Sequence, residues 1–236
     1  MSRSVPARIG VIVPSSNTVL EPTIAAMRLP PDEVTVHCTR LRVMTIALDQ
    51  RSSAQFDPVP MVSAGTLLAD AGVDALTWAG TSGSWLGVDR DRMLAQLLSD
   101  NTDVPASTST LALLDACAAI GATRVTLVTP YVGAVVDRMV TTYADQGIDV
   151  VAERHLDISD NRAFGLVTPE EIRNLVIGCP LNGAEAVIVA CTNLQATSLV
   201  GELEQRLGVP VLDSIEVTVR HALAMAGVDF PAKLHS

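Results

Sequence analysis

The chain reads as an α/β protein of two pseudosymmetric lobes, each a parallel four-stranded sheet with flanking helices, and a ligand cleft between them. Three observations carry that reading. Short apolar runs alternate with patterns of helical period, as in successive βα units. Two stretches repeat in order: Arg8-Ile-Gly-Val-Ile-Val-Pro14-Ser15 returns as Arg124-Val-Thr-Leu-Val-Thr-Pro130-Tyr131, and Asp74 to Ser82 returns as Glu185 to Asn193. Each half then has a Val-Pro strand opening and a helix ending in glycine, Val104-Pro105 to Gly121 and Val209-Pro210 to Gly227.

The elements follow in order from the same patterns. In the first half, apolar runs predict strands over 8–13, 34–41, 74–79 and 104–107, and helical periodicity fills 18–28, 58–71, 89–99 and 109–120 between and after them. In the second half the strands are predicted over 124–129, 148–153, 186–190 and 209–212, with helices over 132–145, 169–180, 196–206 and 214–226. The lobes are accordingly assigned as 1–108 plus 214–236, and 109–213.

Composition bounds the function. The 236 residues suffice for one large or two small cores, and 48% hydrophobic with 18% charged residues is the balance of a packed globular chain. Aromatics at 3% and a formal charge of −10 argue against a nucleic-acid partner, which needs stacking surfaces and a basic face. No segment reaches bilayer-spanning length, and the N-terminus lacks the apolar stretch of a signal peptide, so a cytoplasmic location without membrane contact is expected. Cys38, Cys117, Cys179 and Cys191 form no CxxC, and no histidine pair has metal spacing, so free thiols and no metal are expected. No glycine-rich phosphate-binding motif follows any strand.

In open α/β sheets, ligands bind beyond the carboxyl ends of the strands. Those ends carry Pro14 to Asn17, Gly80 to Ser84, Pro130-Tyr131 and Cys191 to Asn193. Cys191 ends an apolar strand before a helix, where N–H groups and the helix dipole would favour a thiolate and bind anions. Its alternative is a small buried hydrophobe. The other three cysteines fall within strand or helix patterns and read as packing. Gly80-Thr81-Ser82-Gly83-Ser84 offers hydroxyls and N–H groups for a carboxylate or an enediolate, or else caps the next helix. Asn17 either orients a carboxylate or caps the helix after it. Tyr131 is one of only two tyrosines and stands at a strand end. Asn161, in Ser159-Asp160-Asn161-Arg162, reads as ordinary loop, and none of the four histidines has a legible partner. Glycine at position 80 faces cysteine at 191 in the repeat, so the two halves are chemically unequal.

Gly10-Val-Ile-Val-Pro-Ser-Ser-Asn17-Thr18, the Gly80-Thr81-Ser82 turn, Tyr131, Asn161 and Cys191-Thr192-Asn193 together resemble the aspartate/glutamate racemase superfamily. The resemblance is to the branch holding maleate cis-trans isomerases and arylmalonate decarboxylases, and it spans essentially the whole chain. It implies two Rossmann-like lobes, an active site between them, and neither metal nor organic cofactor. Asn17, Tyr131, Asn161 and Cys191 are similar to the substrate-gripping residues and second cysteine of the isomerases, whose first cysteine is here Gly80. The Gly80-Thr81-Ser82 turn is similar to that of the decarboxylases. By that likeness Thr81, Ser82, Tyr131 and the N–H of Thr192 would hold a carboxylate and then an enediolate, while Cys191 delivers the proton from one face.

The leading expectation is therefore a cofactor-independent lyase that decarboxylates a malonate-type acid. The alternatives are a maleate-type isomerase and a non-catalytic protein that binds a small carboxylate; two-base racemisation ranks last, because it needs an acid/base on each face. Substrate would meet Asn17, Gly80, Thr81, Ser82, Tyr131, Asn161, Thr192 and Asn193, with loops after 41 and 154 lining the pocket. The fold leaves room for a homo-oligomer. A Gly80→Cys change is expected to introduce racemase or isomerase chemistry if positions 80 and 191 face each other.

Overall fold

A computed structural model describes residues 5–229. The assigned termini 1–4 and 230–236, with His235, lie outside the described residues. Among the described residues eight strands form two sheets: β1 (Ala7–Pro14), β2 (Val34–Leu41), β3 (Ala75–Trp78) and β4 (Ala106–Thr108), then β5 (Arg124–Thr129), β6 (Asp149–His155), β7 (Ala186–Val189) and β8 (Val211–Asp213). The strand orders are β2-β1-β3-β4 and β6-β5-β7-β8, parallel throughout.

The sequence repeat survives as register. Ile9 pairs with Ala75 in the first sheet, and their repeats Val125 and Ala186 pair in the second. The central strands therefore end at equivalent levels, which brings Ser15, Gly80, Tyr131 and Cys191 to corresponding places. The outer pair is less regular, because a register shift between Val125 and Thr126 leaves Val151 out of the β5–β6 ladder.

The Val-Pro openings lie just before β4 and β8 rather than inside them. Proline cannot donate to a ladder but can accept. Pro105 and Pro210 each do so at the sheet edge, from Leu76 N–H at 2.8 Å and Val187 N–H at 2.9 Å.

The eight long helical patterns are all present, as Leu20–Ala26, Pro58–Ala69, Val88–Thr102, Ser109–Ala119, Gly133–Ala144, Pro169–Ile177, Val200–Leu207 and Ser214–Met225. Three short turns fall outside the predicted helices, Gln50–Ala54, Gly83–Leu86 and Asn161–Phe164, while the start of the helix predicted over 196–206 is a 3₁₀ turn, Thr197–Leu199. Such turns are too short to show a period; side-chain caps from Asp49 and Asp160 hold Gln50–Ala54 and Asn161–Phe164. Asp160 accepts from Arg162 N–H at 3.0 Å, so Asn161 opens a helical turn where ordinary loop was expected.

Both faces of each sheet are covered, as parallel sheets require. One face of β3 (Leu76, Trp78) and of β7 (Val187, Val189) shares a single core with flanking helices and with Cys191. The other face of the first sheet packs Ile9, Val11, Ala75 and Ala79 against Ile215, Val219 and Leu223. Thus Ser214–Met225, which leaves the last strand of the second sheet, lies on the first. Fully burying a leucine or isoleucine of this kind contributes about 1.5–3 kcal/mol. Among the described residues no helix is long and apolar enough to cross a membrane.

Candidate active site

The residues singled out at the strand ends converge where the lobes meet. Thr81 of the first lobe and Tyr131 of the second share a hydrogen bond, hydroxyl to hydroxyl, at 2.7 Å. Thr192 Oγ1 donates to the Ala79 carbonyl at 2.9 Å, so the turn after β7 is fastened to the end of β3. Asn17 Nδ2 donates to the Thr192 carbonyl at 2.8 Å, while its Oδ1 accepts from Val19 and Leu20 N–H, both at 2.9 Å. Asn193 Oδ1 accepts from Thr18 N–H at 2.9 Å. Its amide nitrogen reaches the Asn161 carbonyl at 2.5 Å, and Asn161 Nδ2 donates to Ser16 Oγ at 2.7 Å. None of Asn17, Thr81, Ser82, Tyr131, Asn161, Cys191, Thr192 and Asn193 is more than 5% exposed.

Two different layers result. Asn17, Asn161 and Asn193 form a lattice of amides between the lobes, their side chains committed to backbone and hydroxyl groups. Gly165 permits the close approach there, since a Cβ on it would lie 2.5 Å from Thr18 Oγ1 and 3.1 Å from Asn193 Oδ1. Thr81, Tyr131 and Cys191 form the second layer, in which two hydroxyls and a thiol meet, and Ser82 follows Thr81 in the same turn. The loops after β2 and β6, expected to line a pocket, join edge to edge. Ile46 N–H donates to Ser159 O at 2.8 Å and Asn161 N–H to Met44 O at 2.9 Å.

Tyr131 is wedged between aromatic rings. Its ring meets Trp85 at 5.1 Å and Phe164 at 5.3 Å, both edge to face, and Phe56 links Trp85 to Trp78 at 5.9 and 6.5 Å. Five of the seven aromatic residues are thus spent on this one site. Edge-to-face contacts of this kind fix ring orientation. They hold the Tyr131 hydroxyl between Thr81 and Cys191.

Ser82 could have been a helix cap, and it is not one. Its side chain makes no cap bond to the turn Gly83–Leu86. Buried Asp91 takes the Gly83 N–H instead, and also accepts from Thr108 Oγ1 at 2.6 Å. Ser82 Oγ accepts from the Trp78 indole N–H at 3.1 Å, which leaves its own proton free to donate. Asp91 and Trp78 were missed in the sequence because both lie inside regular elements, where packing is the default reading.

The expected thiolate at Cys191 is corrected by the structure. Burial pushes the thiol up to about 12, and the negative charge of Asp213 adds to it; Asn193 N–H, 3.4 Å from the sulfur, and the Tyr131 hydroxyl act the other way without prevailing. The helix whose dipole was invoked does not begin until Val200, beyond the 3₁₀ turn Thr197–Leu199. A helix field fades within its first turn. Cys191 N–H donates to Ser214 Oγ at 3.1 Å, a partner that nothing in the local sequence points to. The group at the site is a neutral S–H.

Two histidines are paired with other groups. His155 pairs with Glu153 at 2.8 Å, and His221 stands between Ser107 and Asp115 at 3.3 and 3.4 Å. Tyr131 is held well above its usual range, first by burial and then by Cys191. Cys117 is likewise raised to about 11 by burial.

These shifts give a prediction with a definite sign. Raised acid pKa values mean that above pH 9.0, the ordinary thiol value, the unfolded chain releases protons that the folded chain keeps. The buried thiols therefore contribute no pH dependence through neutrality, and stability should fall as pH rises from 9.0 towards 12. Urea midpoints measured across that range should decline less steeply for Cys191→Ala than for the parent; equal slopes would contradict the shift.

Comparison with known proteins agrees with this architecture. A family model described as arylmalonate decarboxylase matches residues 9–236. The chain is 31% identical to a maleate isomerase of Pseudomonas putida over 225 residues, covering 89% of this chain and 88% of that protein. It is 26% identical to the arylmalonate decarboxylase of Bordetella bronchiseptica over 163 residues, 68% of each. The crystal structure of a maleate isomerase from another Pseudomonas putida strain superposes with a TM-score of 0.86 at 27% identity, covering 94% of this chain and 93% of that one. With essentially its full length matched and the two-sheet fold shared, the chain belongs to the arylmalonate decarboxylase family.

Proposed function

We propose that this chain decarboxylates a small malonate-type acid through an enediolate that Cys191 protonates. The observation that carries the reading is the pairing of one buried, protonated thiol with a glycine at the equivalent place on the other lobe. Thr81, Ser82, Tyr131 and the Thr192 N–H would hold one carboxylate. When the other leaves as carbon dioxide, its bonding electron pair passes into the enediolate, whose developing charge those donors stabilise. The Cys191 S–H then gives its proton to carbon, and the thiolate recovers one from water. A thiol raised to about 12 is a poor nucleophile but remains a proton donor at neutral pH.

The second reading is cis–trans isomerisation of a maleate-type diacid. It is favoured by the amide lattice around Asn17 and by 31% identity to a maleate isomerase against 26% to the decarboxylase. Such an isomerase would have to rotate the carbon–carbon bond with no thiol at position 80.

The lobe division at 108/109 and 213/214 belongs to the same proposal, supported by the packing of Ser214–Met225 on the first sheet. So does a reducing, cytosolic setting, in which the four unbridged cysteines stay as thiols.

The deciding experiment incubates the protein in D2O with 2-substituted malonates and, separately, with maleate. Carbon dioxide release with one solvent deuteron in the product supports the first reading. Fumarate formation without mass change overturns it in favour of the second. Thermal stabilisation by a diacid that is returned unchanged would overturn both.

A further inference from the structure

Gly80 has a physical reason that the repeat does not reveal. On a strand, residues two apart share a face, and the residue two before Gly80 is Trp78. A Cβ built on Gly80 would lie 2.5 Å from Cε2 and Cζ2 of the Trp78 indole and 2.7 Å from its Nε1. Those are ring atoms, which cannot give way as the end of a flexible chain can. The indole is itself pinned, being fully buried, with its N–H on Ser82 Oγ at 3.1 Å and its edge against Phe56 at 6.5 Å. In the second half the same place is held by Val189, two residues before Cys191. Valine leaves room where tryptophan does not.

We propose that Trp78 is the specificity-determining residue that keeps this site one-sided, its indole filling the volume that a side chain at position 80 would need. The tryptophan substitutes for the missing acid/base and fixes Ser82 at the same time. The consequence for stereochemistry is direct: a proton can reach the enediolate carbon from the Cys191 side alone. This consequence rests on the proposed role of Cys191, whereas the packing relation between 78 and 80 does not. It also revises the expectation for Gly80→Cys, which cannot place a second thiol opposite Cys191 while Trp78 remains.

The test is a double-mutant cycle of Gly80→Cys, Trp78→Val and the two combined, read by melting temperature and by stereochemistry. Overpacking should lower the melting temperature of Gly80→Cys by about 5 °C or more, and Trp78→Val should lower it by leaving a cavity. The combined variant should lose clearly less than the two losses added together. Given a single enantiomer of a 2-substituted carboxylic acid in D2O, the combined variant should racemise it at least ~10-fold faster than either single variant, a gain of about 1.4 kcal/mol in transition-state stabilisation. One thiolate removes the α-proton as the other thiol delivers a deuteron, so the balance needs no further reagent. Additive melting losses, or a stable Gly80→Cys variant that racemises by itself, would overturn the assignment. So would coupled melting losses without racemisation in a parent that decarboxylates. If the parent turns over no malonate, the functional reading has failed instead, and the melting-temperature coupling alone decides the packing relation.

Discussion

Cys191→Ala is expected to abolish turnover while the protein stays folded. General-acid catalysis contributes roughly 10²–10⁴-fold, and no second acid stands across the site, because Gly80 has no side chain. The loss in kcat should therefore be about 10³-fold or more, without the partial rescue that a two-thiol site could offer. Folding should tolerate the change. The sulfur is small and buried, its N–H contact from Asn193 is long at 3.4 Å, and the backbone bond to Ser214 is unaffected. Steady-state kinetics alongside a urea titration separates the two effects. The pH profile supplies an independent check. An acid that must be protonated, with its thiol raised to about 12, gives a rate that stays level past pH 9.0 on account of that group. A fall in kcat centred on 9.0 in the parent would mean an ordinary thiol and would sink the reading.

The second large effect is expected at Asn17, and it is on stability. Alanine there strands the Val19 and Leu20 N–H groups and the Thr192 carbonyl at a site only 1% exposed. Each buried polar group left unpaired costs about 1–3 kcal/mol. A destabilisation of about 3 kcal/mol or more should follow in urea unfolding. Asn17→Asp sharpens the test, because it keeps the accepting oxygen but turns the donor towards Thr192 into a second acceptor. The buried carboxyl should have a raised pKa, since burial disfavours its charge. The unfolded chain then releases a proton that the folded one retains, so stability should recover as pH falls through that raised value. A variant as stable as the parent at pH 7 would show that the Asn17–Thr192 tie carries little of the lobe contact.

Much of this was legible because parallel βα architecture writes itself into sequence. Strands buried on both faces must be continuous apolar runs, so Ile9 to Val13 and Ala186 to Val189 announced themselves, and a duplicated sheet had to duplicate its register. The strand ends were legible for the same reason: where Val189-Ala190 stops being apolar, Cys191-Thr192-Asn193 must be the edge of a site. What stayed hidden depended on neighbours far along the chain. Nothing near Cys191 says that Ser214 and Asp213 would stand beside it, so its sequence neighbourhood suggested a thiolate while its burial enforces a thiol. Nor could the amides of Asn17 and Asn193 be known to bridge the lobes, each to a partner about 175 residues away.

The asymmetry between Gly80 and Cys191 shows where the division lies. The sequence alone determined that one half of the repeat has a thiol and the other does not, together with the fold that brings the two ends to corresponding places. Only the tertiary structure decided what fills the other side. Whether a glycine is vacant space or is overlain by a neighbour depends on the rotamer and packing of Trp78, and a rotamer is chosen by contacts in three dimensions. The charge of Cys191 was decided in the same way, since desolvation is a property of everything around a group rather than of the residues beside it in the chain.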